Sequence, residues 1–156
     1  DGMEDEIDTV LDAIGADSRV GKKYLKFGYG FGGPCLPRDN RAFAAYAKSL
    51  GVEYNLGSTT DSFNDTHNKF LLDYVITKNH TSLPFYFDYV SYKKGTDILT
   101  ESQQFKLCRS LLDEGYTVYI NDNETILNRV KDTLYDQYYD RVKFGEPKEK
   151  VFKVDI

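Results

Sequence analysis

Residues 85–120 read FYFDYVSYKKGTDILTESQQFKLCRSLLDEGYTVYI. Positions 85–92 are aromatic and β-branched enough for a strand, 101–114 carry an amphipathic helical pattern, and 116–120 read as a second strand. Gly115 stands where the helix between them has to stop, because a residue without a Cβ readily takes the left-handed turn that closes a helix. A further helix is expected over 124–137. This β-α-β-α order predicts a parallel sheet with right-handed crossovers, so residues 83–156 are expected to form a small α/β domain.

Upstream the rhythm is helical. Met3, Ile7, Val10, Leu11 and Ile14 recur at helical spacing, and Gly15 follows where a left-handed C-cap is expected, which predicts a helix over 3–14. A second helix is expected over 39–50, with Phe43, Tyr46, Ala47 and Leu50 on one face and Gly51 as its stop. A third, over 60–78, carries Phe63, Phe70, Leu71, Tyr74 and Val75 at helical spacing. Between the first two lies a stretch from 16 to 37 with no sustained period. Loops longer than about 12–15 residues without secondary structure are usually functional or disordered, and Tyr24, Phe27, Tyr29, Phe31 and Cys35 argue for order here. The expected fold class is α/β: a helical segment with one structured loop (1–82), then a small Rossmann-like parallel α/β domain (83–156). A chain that opens almost inside a helix is expected to be part of something longer.

At 156 residues and 40% hydrophobic content, the chain can bury one ordinary core or two small ones. A net charge of -5 and a pI near 5.0 argue against a nucleic-acid partner, which would call for a basic surface. The apolar stretches are short and broken by charge, and the acidic opening DGMEDEID lacks the basic and apolar regions of a secretory signal. A soluble, cytoplasmic protein with no membrane partner is expected. Two cysteines and two histidines give neither a disulfide framework nor a metal site. The sequons at Asn64, Asn79 and Asn123 are read as chance.

Gly28-Tyr29-Gly30-Phe31-Gly32-Gly33 satisfies G-x-G-x-x-G. A dinucleotide fingerprint needs a buried strand before it and a helix opening at it; the preceding GKKYLKF is half basic, and Pro34 and Pro37 oppose a helix start. The glycines instead offer backbone that a ligand can approach closely. Cys35 follows directly, just ahead of the helix start expected at Asp39 and near Arg38. A helix N-terminus and a nearby cation both favour a thiolate, so Cys35 is the candidate nucleophile. Cys108 lies on the apolar face of its helix with Phe105, Leu111 and Leu112 and is read as core. Asp39 is suited to cap the helix, or to act on water beside the thiol, or both. His67 has no second ligand-type residue near it in sequence and is read as ordinary.

GYGFGGPCLPRD, residues 28–39, resembles the active-site loop of the UDP-glucose/GDP-mannose dehydrogenase family, usually Gly-Gly-x-Cys-x-Pro-Lys-Asp. DSRVG at 17–21 is similar to the family's Asp-x-Arg-Ile-Gly, Asn64 keeps a family asparagine, and YKKGTDILTES at 92–102 resembles Phe-Lys-x-x-Thr-Asp-Asp-Ile-Arg-Glu-Ser. The resemblance implies an N-terminal NAD-binding domain not included in these residues, a central dimerisation helix, and a C-terminal domain that takes the nucleotide end of the sugar. It implies two hydride transfers to NAD, from alcohol through aldehyde to carboxylate, with a Cys35 thiohemiacetal and thioester, and Asp39 assisting hydrolysis. UDP-glucose is the implied substrate; GDP-mannose, UDP-N-acetylmannosamine and a non-catalytic nucleotide-sugar-binding module are the alternatives.

Carried across by position, Arg19, Tyr24, Leu25, Lys26, Phe27, Gly28, Gly32 and Lys93 match substrate-binding residues. Arg38 stands at a lysine position near the cofactor. The chain departs from the pattern at Thr100, where the family has an arginine that reaches the cofactor, and at Ile98, which replaces an aspartate.

Overall fold

The computed structural model describes residues 6–53 and 55–156. The element order is α1 (Ile7–Gly15), α2 (Leu36–Ser49), α3 (Leu56–Lys78), β1 (Phe85–Phe87), α4 (Gln103–Asp113), β2 (Val118–Ile120), α5 (Glu124–Tyr138), β3 (Val142–Phe144) and β4 (Phe152–Lys153). The strands form one sheet in the order β3-β2-β1-β4, with every pairing parallel, as the β-α-β-α reading predicts. Phe85 and Phe87 lie opposite Val118 and Ile120, and those two lie opposite Val142 and Phe144. The short strands β3 and β4 were not anticipated, since RVKF and VFK carry charge at alternate positions and too few residues to show a period.

The core belongs to this α/β part. Phe85, Phe87, Leu107, Cys108, Leu111, Leu112, Val118, Ile120, Ile126 and Val130 are fully enclosed, and α3 joins them through Leu71 and Val75. Both crossover helices are capped by side chains. Ser102 accepts from the Phe105 amide, and Asn123 from the Ile126 amide, satisfying amides that a helix start leaves without a partner.

Several expected boundaries move for identifiable reasons. The strand expected over 85–92 ends at Phe87, because the amides of Val90 and Ser91 turn away to the Asp122 carboxylate at 2.9 and 2.8 Å. The second strand starts at Val118 instead of 116, since the Tyr116 amide still bonds to the Leu111 carbonyl as the chain leaves α4. α2 opens at Leu36, three residues before Asp39, with Pro37 in the first turn, where a missing N–H costs nothing. Pro34 and Pro37 therefore do not oppose a helix start as expected, and the lack of a strand before residue 28 is what excludes the dinucleotide fingerprint. α3 opens at Leu56, earlier than 60, because Asn55 caps the Gly57 and Ser58 amides. Gly15 is not a left-handed cap: α1 passes into Ala16 with helical geometry, and Gly15 is needed because a Cβ there would meet the Lys22 backbone at 3.0 Å. Gly51 and Gly115 do take positive φ behind α2 and α4. The start of the first helix expected at residue 3 lies outside the described residues.

The apolar faces of the upstream helices are largely open. Phe43 and Tyr46 on α2 and Leu50 just past its end are exposed, with only Ala47 of that set buried, and Phe63 and Phe70 on α3 are exposed as well. The buried line of α3 runs instead through Gly57, Asn64, Asn68, Leu71 and Val75.

The loop from 16 to 35 is ordered by packing against the α/β part. A Cβ on Gly32 would stand 2.3 Å from the Glu101 carbonyl oxygen, and one on Gly33, which has φ +81, would meet the Tyr92 ring at 2.6 Å. The Tyr29 ring packs against the main core, and burial pushes its phenol well above its usual range.

Two outcomes follow from this packing. Leu107→Ala, at a fully enclosed core position, is expected to lower unfolding free energy by about 2–5 kcal/mol in a urea titration. Gly32→Ala is expected to cost about 1–3 kcal/mol or more by overpacking, since the obstacle is backbone and cannot rotate aside; an unchanged midpoint in thermal unfolding would refute the contact.

Candidate active site

Cys35 is exposed and occupies the N-cap of α2, where its carbonyl accepts the Asp39 amide at 2.9 Å. The free amides of a helix's first turn carry partial positive charge, which favours an anion at this end. Asp39 lies within that turn and makes no cap, so the capping role expected of it is corrected by the earlier helix start. Its carboxylate is held by Arg38, with Nε and an outer guanidinium nitrogen both 2.8 Å from Oδ1. That pairing, with a smaller contribution from the Cys35 side chain, raises the Arg38 pKa. Arg38 is thus turned toward Asp39, and thiol, carboxylate and guanidinium share one exposed turn. Cys108, by contrast, is fully enclosed in the core, and burial pushes its thiol up.

The remaining expected site residues are distributed along the loop. Leu25, Phe27 and Gly28 are half-buried, Lys26 is exposed, and Tyr24 is 88% exposed beneath the Lys23 ammonium. Lys26, Phe27 and Gly28 line an open groove of about 390 Å³ that α1 and α3 complete through Leu11, Phe63 and His67. Gly32 lies behind Cys35, its open side filled by the Glu101 carbonyl. Arg19 is exposed and forked onto Asp17 at 2.6–3.2 Å, a pairing that raises the arginine's pKa and lowers the aspartate's. Lys93 lies on the loop between β1 and α4, where its carbonyl accepts from the Thr96 hydroxyl. The nearby Asp88 carboxylate receives both Lys94 and Lys153, at 3.0 and 3.3 Å. These two lysines outweigh the effect of burial and lower the Asp88 pKa.

Thr100 is exposed, immediately before Glu101, whose φ is +52. The Glu101 carboxylate accepts from Arg41 of α2 at 2.6 Å, and Arg41 also reaches Asp61 of α3 at 3.0 Å.

Arg41 and Tyr92 are not among the expected site residues, and His67, expected to be ordinary, meets the loop. His67 Nε2 is 2.7 Å from the Gly28 carbonyl oxygen, and its ring stacks on Phe70. The signal available was the line Asn64, Asn68, Leu71, Val75, in which a helix's buried stripe turns polar toward its N-terminus. Nothing in the spacing of Arg41 or Tyr92 marks either of them. Among the described residues no group of three or more His, Cys, Asp or Glu side chains is placed to hold a metal, and no helix is long and apolar enough to cross a membrane.

Residues 1–66 match the central domain of the UDP-glucose/GDP-mannose dehydrogenase family. UDP-glucose 6-dehydrogenase TuaD of Bacillus subtilis is 38% identical over 72 residues, 46% of this chain and 16% of that protein. GDP-mannose 6-dehydrogenase of Pseudomonas aeruginosa is 31% identical over 139 residues, 80% of this chain and 31% of that protein. The solved structure of a UDP-glucose dehydrogenase from Pyrobaculum islandicum superposes with a TM-score of 0.71 at 27% identity, covering 89% of this chain and 32% of that one. The chain therefore spans about a third or less of the length of these relatives. Residues 1–66, with the loop around Cys35, thus carry the central domain of the UDP-glucose/GDP-mannose dehydrogenase family, and 89% of the chain shares the fold of a solved UDP-glucose dehydrogenase.

Proposed function

We propose that this chain supplies the central helical segment (1–82) and the nucleotide-sugar-binding α/β domain (83–156) of an NAD-dependent dehydrogenase that oxidises UDP-glucose to UDP-glucuronate, with Cys35 as its nucleophile. The observation that carries the proposal is the exposed thiol at the N-cap of α2, at the end of a glycine loop packed against the α/β part. A cysteine kept only for packing would resemble Cys108, enclosed and away from any loop.

The reaction removes four electrons from the sugar's C6 alcohol. NAD, when bound, takes up a hydride in each of the two oxidations. The Cys35 thiolate adds to the aldehyde carbon, forming a C–S bond, and the thiohemiacetal becomes a thioester once its hydride has left. Water attacks the thioester carbon, the C–S bond breaks, and the thiol and a carboxylate are released. In this reading Asp39, in the first turn of α2 and paired with Arg38, takes the proton of that water. Gly28 and the adjoining Tyr24, Leu25, Lys26 and Phe27 line the sugar side with Gly32 behind, while Arg19 and Lys93 offer cations to the diphosphate.

Arg38, 70% exposed beside Cys35, fits a place near the cofactor's charged groups. Residues 28–33 follow no strand and cannot cradle a pyrophosphate as the dinucleotide fingerprint does, so the cofactor would be held mainly by an N-terminal domain outside these 156 residues. Thr100 contributes no charge there. The similarity to GDP-mannose 6-dehydrogenase favours GDP-mannose as the second candidate substrate.

A homodimer is part of the same reading. Leu56, Phe63 and Phe70 recur every seven residues along α3 and are 74, 69 and 50% exposed, a stripe that a second copy would cover. Cytoplasmic location and a role in polysaccharide precursor synthesis follow from the proposed reaction.

The test uses the full-length protein with NAD and UDP-glucose, read at 340 nm. Two NADH per sugar are expected, and Cys35→Ala should abolish this yield. A yield only with GDP-mannose would move the substrate assignment. No signal with UDP-glucose, GDP-mannose or UDP-N-acetylmannosamine from a folded protein would leave a nucleotide-sugar-binding module. Phe63→Lys is expected to shift the dimer toward monomer in light scattering, and an unchanged mass would remove the α3 stripe from the interface.

A further inference from the structure

We infer that Asn64 and His67 are positioning residues that fix the backbone of the glycine loop and, through it, the place of Cys35; the inference rests on the proposed reading of Cys35 as the reactive thiol. Within 16–35 the chain forms no helix beyond turns and no strand, so its carbonyls have no ladder of their own. Two of them are met from α3. Asn64 Nδ2 donates to the Phe31 carbonyl at 2.9 Å. His67 Nε2 lies 2.7 Å from the Gly28 carbonyl, which can only accept, so the proton is on Nε2.

The match is one of spacing. Carbonyls three residues apart in the loop meet donors three residues apart on the helix, where i and i+3 share a face. Asn64 is 92% enclosed, and its Oδ1 occupies the space a Cβ on Gly30 would need, at 2.0 Å. Loop and helix therefore approach as closely as a glycine permits. The His67 ring is fixed in turn, stacked on Phe70 with centroids 5.9 Å apart and set edge-on to Phe27 at 6.5 Å. It cannot swing away from Gly28 without opening that aromatic group.

Only three residues separate Phe31 from Cys35, and two of them, Gly32 and Gly33, are wedged against Glu101 and Tyr92. The thiol's backbone is thus held from α3 on one side and from the α/β part on the other. Bound geometry matters steeply in catalysis, where a displacement of about 1 Å costs about a hundredfold in rate. Two hydrogen bonds that hold the loop thus belong to the machinery without touching substrate.

The experiment compares His67→Phe, which keeps the stacked ring and removes the donor, with His67→Gln, which restores an amide donor, and with Asn64→Asp, which keeps size and loses the donor, all in the full-length protein. Hydrogen exchange over residues 27–35, alkylation of Cys35 by iodoacetamide, and kcat and KM are read on each. Loop amides are expected to exchange about tenfold faster in His67→Phe and Asn64→Asp, while amides of the sheet stay unchanged. The Cys35 alkylation rate should shift in the same two variants, kcat should fall about tenfold with a smaller change in KM, and His67→Gln should recover most of each loss. Unchanged exchange and alkylation in both donor-less variants would overturn the inference, as would a His67→Gln protein no better than His67→Phe. If exchange and alkylation respond as expected but the parent protein turns over no nucleotide sugar, the dehydrogenase reading fails and the positioning role stands.

Discussion

The Glu101 carbonyl oxygen lies where a Cβ on Gly32 would have to be, and this backbone-to-backbone contact joins the glycine loop to the α/β part. Glu101 reaches it in a left-handed conformation, φ +52, which costs about 1–3 kcal/mol for a residue with a side chain. A glycine would relieve that cost but would lose the carboxylate, which ties Arg41 of α2 at 2.6 Å while Arg41 also holds Asp61 of α3. Exposed ion pairs of this kind contribute about 0–1 kcal/mol each. Their value here is geometric: three segments distant in sequence are held in register at the residue that follows Thr100, with the close backbone packing setting the distance and the charges setting the direction.

α3 carries the same division of labour along its length. Its C-terminal half gives Leu71 and Val75 to the sheet core, and its N-terminal half turns Asn64, His67 and Asn68 toward the loop and α4. One helix is therefore anchored by apolar burial at one end and used for polar recognition of backbone at the other. Its third face, with Leu56, Phe63 and Phe70, is open to solvent in the single chain. Together with Phe43 and Tyr46 of α2 and Leu50 just past its end, this puts most of the exposed large apolar side chains in the first 70 residues.

The two cysteines occupy opposite environments within one chain. Cys108 is enclosed by Leu107, Leu111 and the sheet, and its thiol is held protonated by burial. Cys35 is exposed, precedes the free amides of α2, and has Arg38 and Asp39 within the next turn. The three sequon asparagines divide in a similar way by environment: Asn64 bonds the loop, Asn79 closes the turn to Leu83, and Asn123 caps α5. A motif read as chance in one vocabulary is structural in another.

The parallel α/β part, the three upstream helices, Cys108 as core and Cys35 on a glycine loop were legible in the sequence, because hydrophobic period, glycine stops and a local motif are short-range signals. Which helical face is buried was not, since an apolar stripe at helical spacing does not say whether the same chain covers it. Nor was the use of the glycines. The sequence offers residues that permit close approach, and the fold supplies what approaches: Asn64 at Gly30, Glu101 at Gly32 and Tyr92 at Gly33. These partners come from 34 to 69 positions away, as the numbering of the pairs gives. Local propensity carries no information over such separations; only the closing of the loop against α3 and the sheet, driven by burial, decides them.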